Sequence, residues 1–92
     1  MKFNPGQIVV TRSVHALMAE NLEFADHVYA SLNRHMAGDW GEISAGDKLT
    51  NETALLDGER LFSAYTREGL PPIWVITEWD RSVTTVLFPD EY

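Results

Sequence analysis

The sequence predicts an α+β fold. The expected architecture is a small antiparallel sheet, built from an N-terminal strand plus a C-terminal three-stranded meander, with two or three helices packed on one face. Three observations carry this expectation. Residues 60–92 hold three segments of strand composition divided by turn residues. Leu22, Ala25, Val28, Tyr29, Leu32 and Met36 recur at three- and four-residue steps, which makes one apolar stripe on a helix. Gln7–Thr11 (Q-I-V-V-T) is a β-branched run placed before the helices, and a strand, helices and then a run of strands is an α+β order.

Each element has its own local warrant. Asn4-Pro5-Gly6 is a turn, because proline presets φ and glycine accepts positive φ. Thr11 or Ser13 caps a short helix over Val14–Ala19. The long helix puts His27, Ser31, Arg34 and His35 on the side away from its stripe, and Gly38 is placed to end it. Trp40 sits between Asp39 and Gly41, where it plugs the core edge or stacks on a ligand. Asp47 caps a third helix reaching Leu56, with Gly58 beyond its end. Arg60–Thr66, Ile73–Glu78 and Val83–Phe88 are the meander strands, joined by a loop over Arg67–Pro72 and a turn at Asp80-Arg81-Ser82.

Ninety-two residues make one domain (1–92), and a chain of this size buries about 60–65 % of its unfolded surface. The absence of cysteine excludes a disulfide scaffold, a thiol nucleophile and a cysteine zinc site, and it fits a reducing, cytoplasmic setting. The opening residues carry no apolar signal core, and no segment approaches the roughly 20 apolar residues of a membrane span. No cofactor motif is present, and His27 and His35 stand too far apart to share a metal ion without a ligand between them.

Fourteen acids against seven bases give a net charge of −7. Such a chain gains no general attraction to nucleic acid and is steered toward a basic protein surface. The acids are concentrated: Asp39, Glu42, Asp47, Glu52, Asp57 and Glu59 are opposed only by Lys48. This stretch is either a solvated face or a mimic of a phosphate backbone. In the second reading the acids meet the Lys and Arg of a nucleic-acid-binding complex, and Trp40 is the anchor.

The second chemical cluster lies toward the final turn. His35, Arg60, Glu78 and Arg81 are the types that metal-free phosphodiester cleavage needs, namely a base, an acid and cations over developing charge. The closing segment I-W-V-I-T-E-W-D-R-S-V-T-T-V-L-F resembles the hairpin of barnase/RelE-type ribonucleases, with Arg81 at the turn. That likeness implies a ribonuclease or toxin as the alternative function.

A wider resemblance is carried by M-K-F-N-P-G-Q-I-V at Met1–Val9, R-H-x-x-G-D-W-G at Arg34–Gly41, S-A-Y at Ser63–Tyr65, and Ile73–Tyr92. Together these segments resemble a family of small bacterial proteins carried on plasmids and mobile elements, often labelled "plasmid-related protein" or type I restriction modification subunit. A methyltransferase subunit is excluded by size, since 92 residues hold no cofactor domain plus target-recognition domain. The resemblance implies a mobile-element protein and no particular mechanism. With the small size, the acidity and the absence of a recognisable active site, the expected function is inhibition of a host defence or nucleic-acid-processing complex, of anti-CRISPR or anti-restriction type. A homodimer through exposed tryptophans is a third expectation.

Overall fold

The computed structural model describes Met1–Tyr92. Its elements are β1 (Gln7–Val10), α1 (Arg12–Glu20), α2 (Leu22–Met36), α3 (Ala45–Asp57), β2 (Leu61–Tyr65), β3 (Ile73–Thr77) and β4 (Val83–Leu87), followed by a 3₁₀ turn at Pro89–Glu91. The α+β class and the C-terminal meander are as the sequence predicts. The sheet, however, is mixed rather than wholly antiparallel. Its order is β1-β4-β3-β2, and β1 runs parallel to β4 from Gln7↔Val83 to Val10↔Val86. Alternation of direction binds only strands joined by hairpins, as in β2-β3-β4. Three helices and two strands separate β1 from β4, so nothing local fixes its sense.

Polar side chains set the helix boundaries. Thr11 Oγ1 accepts from the Val14 amide at the start of α1. Asn21 both closes α1 through its own N–H and caps α2 by accepting from the Phe24 amide. Ser44, not Asp47, caps α3: its Oγ accepts from the Asp47 amide at 3.0 Å, so the helix starts three residues earlier than expected. Gly58 takes the left-handed conformation, φ 71°, at the C-cap of α3.

The sheet residues that alternate toward the helices are Leu61, Ser63, Tyr65, Ile73, Val75, Thr77, Thr84 and Val86. Tyr65, Ile73, Val75 and Val86 enclose Val14, Phe24, Val28 and Leu32 in the main core, and Leu61 joins Trp40 and Ala54 in a smaller one. Each fully buried large side chain contributes about 1.5–3 kcal/mol.

The phase of α2 differs from the sequence reading. Its buried face is Phe24, His27, Val28, Ser31, Leu32 and His35, whereas Leu22 and Tyr29 lie in solvent. His27, Ser31 and His35 are therefore core residues, not a solvated face. His35 is admitted because the sheet positions opposite it are themselves polar, whereas His27 keeps its Nε2 buried without a partner. His35 meets Ser63 and Thr77, and His27 lies against Ser31 of its own helix.

The free edge of β2 is closed by substitutes for a strand. Asn51 of α3 donates from Nδ2 to the Phe62 carbonyl at 2.6 Å and accepts from the Phe62 amide at Oδ1, 3.1 Å. Further along, the Glu42 amide donates to the Ala64 carbonyl and the Ala64 amide to that of Trp40. Gly41 sits in this approach at φ 75°, and a Cβ there would collide with the Ala64 carbonyl oxygen.

Candidate functional site

The acidic stretch is built around α3. Its inward face presents Asn51 and Ala54 to β2, and helical geometry then turns Leu49, Glu52, Thr53 and Leu56 outward. Leu49 is 69 % and Leu56 88 % exposed, an apolar pair one face apart with no cover in the chain. Glu52 and Asp57 flank this face, Glu59 follows the helix end, and Asp47 lies on the Asn51/Ala54 side at the first turn; all four are exposed. None of them forms an ion pair, because the three ion pairs of the chain are Arg34–Asp39, Arg60–Glu78 and Arg67–Asp26.

The other predicted partner residues are differently placed. Asp39 binds Arg34 through two hydrogen bonds of 2.7 and 3.1 Å, and this pairing holds its carboxyl below the usual range. Glu42 accepts from the Thr66 hydroxyl at 3.1 Å. Trp40 is 4 % exposed, packed with Leu61 and Ala54, which removes it as a surface anchor. Two flanking glycines permit the turn that folds its ring inward, and its only polar atom donates to Glu52 Oε2 at 2.7 Å.

Asp57 and Glu59 stand at the C-terminal end of α3, where the helix dipole disfavours carboxylates and where no base lies in the last turn. The compensation comes from across the molecule. Arg81 donates to the carbonyl oxygens of Ala54 (3.0 Å), Glu59 (2.6 Å), Glu78 (3.1 Å) and Trp79 (3.2 Å). It does so from a left-handed backbone, φ 61°, rare for a residue with a Cβ. Its guanidinium is thus spent on tying the β3–β4 turn to α3.

Beneath α3 and α2 runs a directed chain of buried hydroxyls. Thr84 Oγ1 donates to the Pro5 carbonyl at 2.7 Å, so it accepts from Thr77 Oγ1, also at 2.7 Å. Thr77 then accepts from His35 Nε2 at 2.9 Å, which leaves His35 Nδ1 to accept from Ser63 Oγ at 2.5 Å. This assignment requires a neutral imidazole protonated on Nε2. Burial, with a lesser contribution from the Arg81 charge, pulls the His35 pKa down to about 4. Phe3 and Trp40 close over the ring edge-on at 5.4 and 5.6 Å.

The four residues of the ribonuclease reading do not share an open cleft. His35 is fully enclosed. Arg81 is bound to four carbonyls, and Arg60 and Glu78 form a loose pair at 3.8 Å near the surface. Arg60 also donates to the Tyr92 hydroxyl at 2.7 Å, with its guanidinium 5.2 Å from that ring.

Sequence reasoning missed the exposure of Leu49 and Leu56, and missed the buried role of Ser31, Ser63, Thr77 and Thr84. The available signal was the i, i+4, i+8 spacing of His27, Ser31 and His35 alongside Phe24, Val28 and Leu32. No group of histidines and carboxylates is arranged to hold a metal ion, and no helix is long and apolar enough to cross a membrane. No family model, curated protein or solved structure matches the chain.

Proposed function

We propose that this is a small acidic interaction protein that binds and blocks a nucleic-acid-processing or defence complex, using α3 as its contact. The observation that carries the reading is the outward face of α3. Two leucines are held in solvent at 69 % and 88 % exposure, flanked by Glu52 and Asp57 and followed by Glu59, none of which has a basic partner. Exposed leucines cost solubility, and Arg81, which binds carbonyls at the α3 end, leaves the Asp57 and Glu59 carboxylates themselves unpaired. A partner that offers an apolar cleft rimmed by Lys and Arg would offset both. Apolar anchors supply affinity in such a contact, and the charges supply on-rate and register.

The same basic rim is what a complex uses to grip phosphates, so occupation by α3 competes with nucleic acid. The mobile-element setting rests on the resemblance of Met1–Val9, Arg34–Gly41 and Ile73–Tyr92 described above. The test is capture of partners from bacterial lysate at low and moderate salt, followed by competition with duplex DNA and RNA for the captured complex. Reversal of Asp57 and Glu59 to Lys, which spares the Glu52–Trp40 bond, is expected to abolish capture with the fold intact, and Leu49→Ser with Leu56→Ser to weaken it. Capture unchanged by both sets of variants would overturn the reading.

A further inference from the structure

The face of the sheet turned away from the helices bears Phe62 on β2 and Trp74 and Ile76 on β3, which alternation directs opposite to the Leu61/Val75/Thr77 face. These side chains, with Arg60 and Tyr92, line a cavity of about 220 Å³. The rings are set at angles: Phe62 and Trp74 meet edge-to-face at 4.9 Å, and Trp74 and Tyr92 at 5.6 Å and 64°. They therefore bound a hollow instead of stacking shut. One charged group lines it. The Arg60 guanidinium lies against Tyr92 and reaches the nearest carboxylate, that of Glu78, only at 3.8 Å.

We propose that this cavity is a binding site for a small aromatic carboxylate. The size argument is direct: a cavity of about 150 Å³ accepts benzene, and the remaining space matches a carboxylate with a short linker. The chemistry points the same way. Three aromatic side chains and Ile76 take a planar ring through dispersion and edge contacts. A guanidinium with spare donors takes a carboxylate as a forked, charge-assisted pair. The Tyr92 hydroxyl accepts from Arg60, so its own proton is free to donate to the same carboxylate. A cationic ring compound is disfavoured because Arg60 already occupies the cation position beside Tyr92. A neutral ring compound gains the apolar part alone. This site lies apart from α3 and does not rest on the function proposed above.

The experiment is a titration of the full chain with three probes of one shape, followed by amide and indole NMR signals: phenylacetate, phenylacetamide and 2-phenylethylamine. Phenylacetate is expected to shift the Trp74 indole N–H and the Phe62 and Ile76 amides saturably. The amide should bind about tenfold more weakly, the loss of one charge-assisted contact, and the amine should not bind. Arg60→Gln should abolish the preference for carboxylate over amide while leaving the spectrum otherwise dispersed, and Trp74→Leu should remove the Phe62 and Ile76 shifts caused by phenylacetate and phenylacetamide. Equal responses to the three probes, shifts that map away from Trp74, or no saturable shift with phenylacetate would each overturn the proposal. The comparison of probes on the unaltered chain decides it even where a variant fails to fold.

Discussion

The Arg81 guanidinium donates to the carbonyl oxygen of Ala54 across 27 residues of chain, at 3.0 Å. By this bond the turn between β3 and β4 brings to the end of α3 the positive charge that its Gly58 cap does not supply. Acids at Asp57 and Glu59 deny the helix end a local cation, and a distant arginine supplies it.

Substitution of Arg81 separates that role from backbone strain. Arg81→Ala loses every guanidinium bond and keeps the cost of φ 61°. A loss of about 2–3 kcal/mol in urea unfolding is expected. Arg81→Gly loses the same bonds but relaxes the backbone, and should recover roughly 1 kcal/mol of that. Equal stability of the two variants would show that the positive φ carries no cost.

His35 makes stability depend on pH in a defined direction. Its pKa is about 4 in the folded chain and 6.5 as the ordinary value, so the unfolded chain binds the extra proton between these limits. Stability from this group is complete above pH 6.5, falls as pH drops toward 4, and is lost below it. The full span corresponds to about 3 kcal/mol. Burial also lowers the His27 pKa, which acts in the same sense. Denaturation midpoints at pH 7.5 and pH 5 measure the slope, and a folded His35→Gln variant should show a shallower one.

Asn51 protects the β2 edge with a single side chain. Asn51→Ala leaves the Phe62 N–H and carbonyl without partners, at a cost of about 1–3 kcal/mol. Because an unpaired edge also templates association, the variant should exchange its Phe62 amide faster and aggregate at lower concentration. Asn51→Asp keeps the acceptor alone and should fall between the two.

Two glycines with nearly the same φ should respond differently to alanine. At Gly58 a Cβ meets nothing, so Gly58→Ala costs only the left-handed conformation, about 1 kcal/mol. At Gly41 the added carbon collides with Ala64 and the Tyr65 ring, so the Trp40–Glu42 segment must leave the β2 edge. Gly41→Ala is expected to cost more than about 3 kcal/mol. Similar midpoints for the two variants would contradict the close approach.

These residues also show where the sequence was readable. The α+β class, the three C-terminal strands and all three helices follow from local signals: β-branched runs, caps and apolar spacing. The acidity around α3 was equally plain. The face of α2 was not, because periodicity counts His27, Ser31 and His35 as solvent-facing. Their burial is decided by Ser63 and Thr77, 28 and 42 residues from His35. The sense of β1 depends likewise on a partner far along the chain. Arg81 looked like a free cation at a turn, and only the position of the α3 end reveals its occupation.

The Thr84 hydroxyl reaches the Pro5 carbonyl over 79 residues, and β4 lies between β1 and β3. During synthesis β1 therefore has no sheet to join until the ribosome has released Val83–Leu87. Until then Val14, Phe24, Val28 and Leu32 can be covered by Tyr65, Ile73 and Val75 of β2 and β3 but not by Val86. Pairings of such long range also slow closure of the sheet. The sheet therefore closes last at its centre, where β4 joins β1 to the hairpin that precedes it.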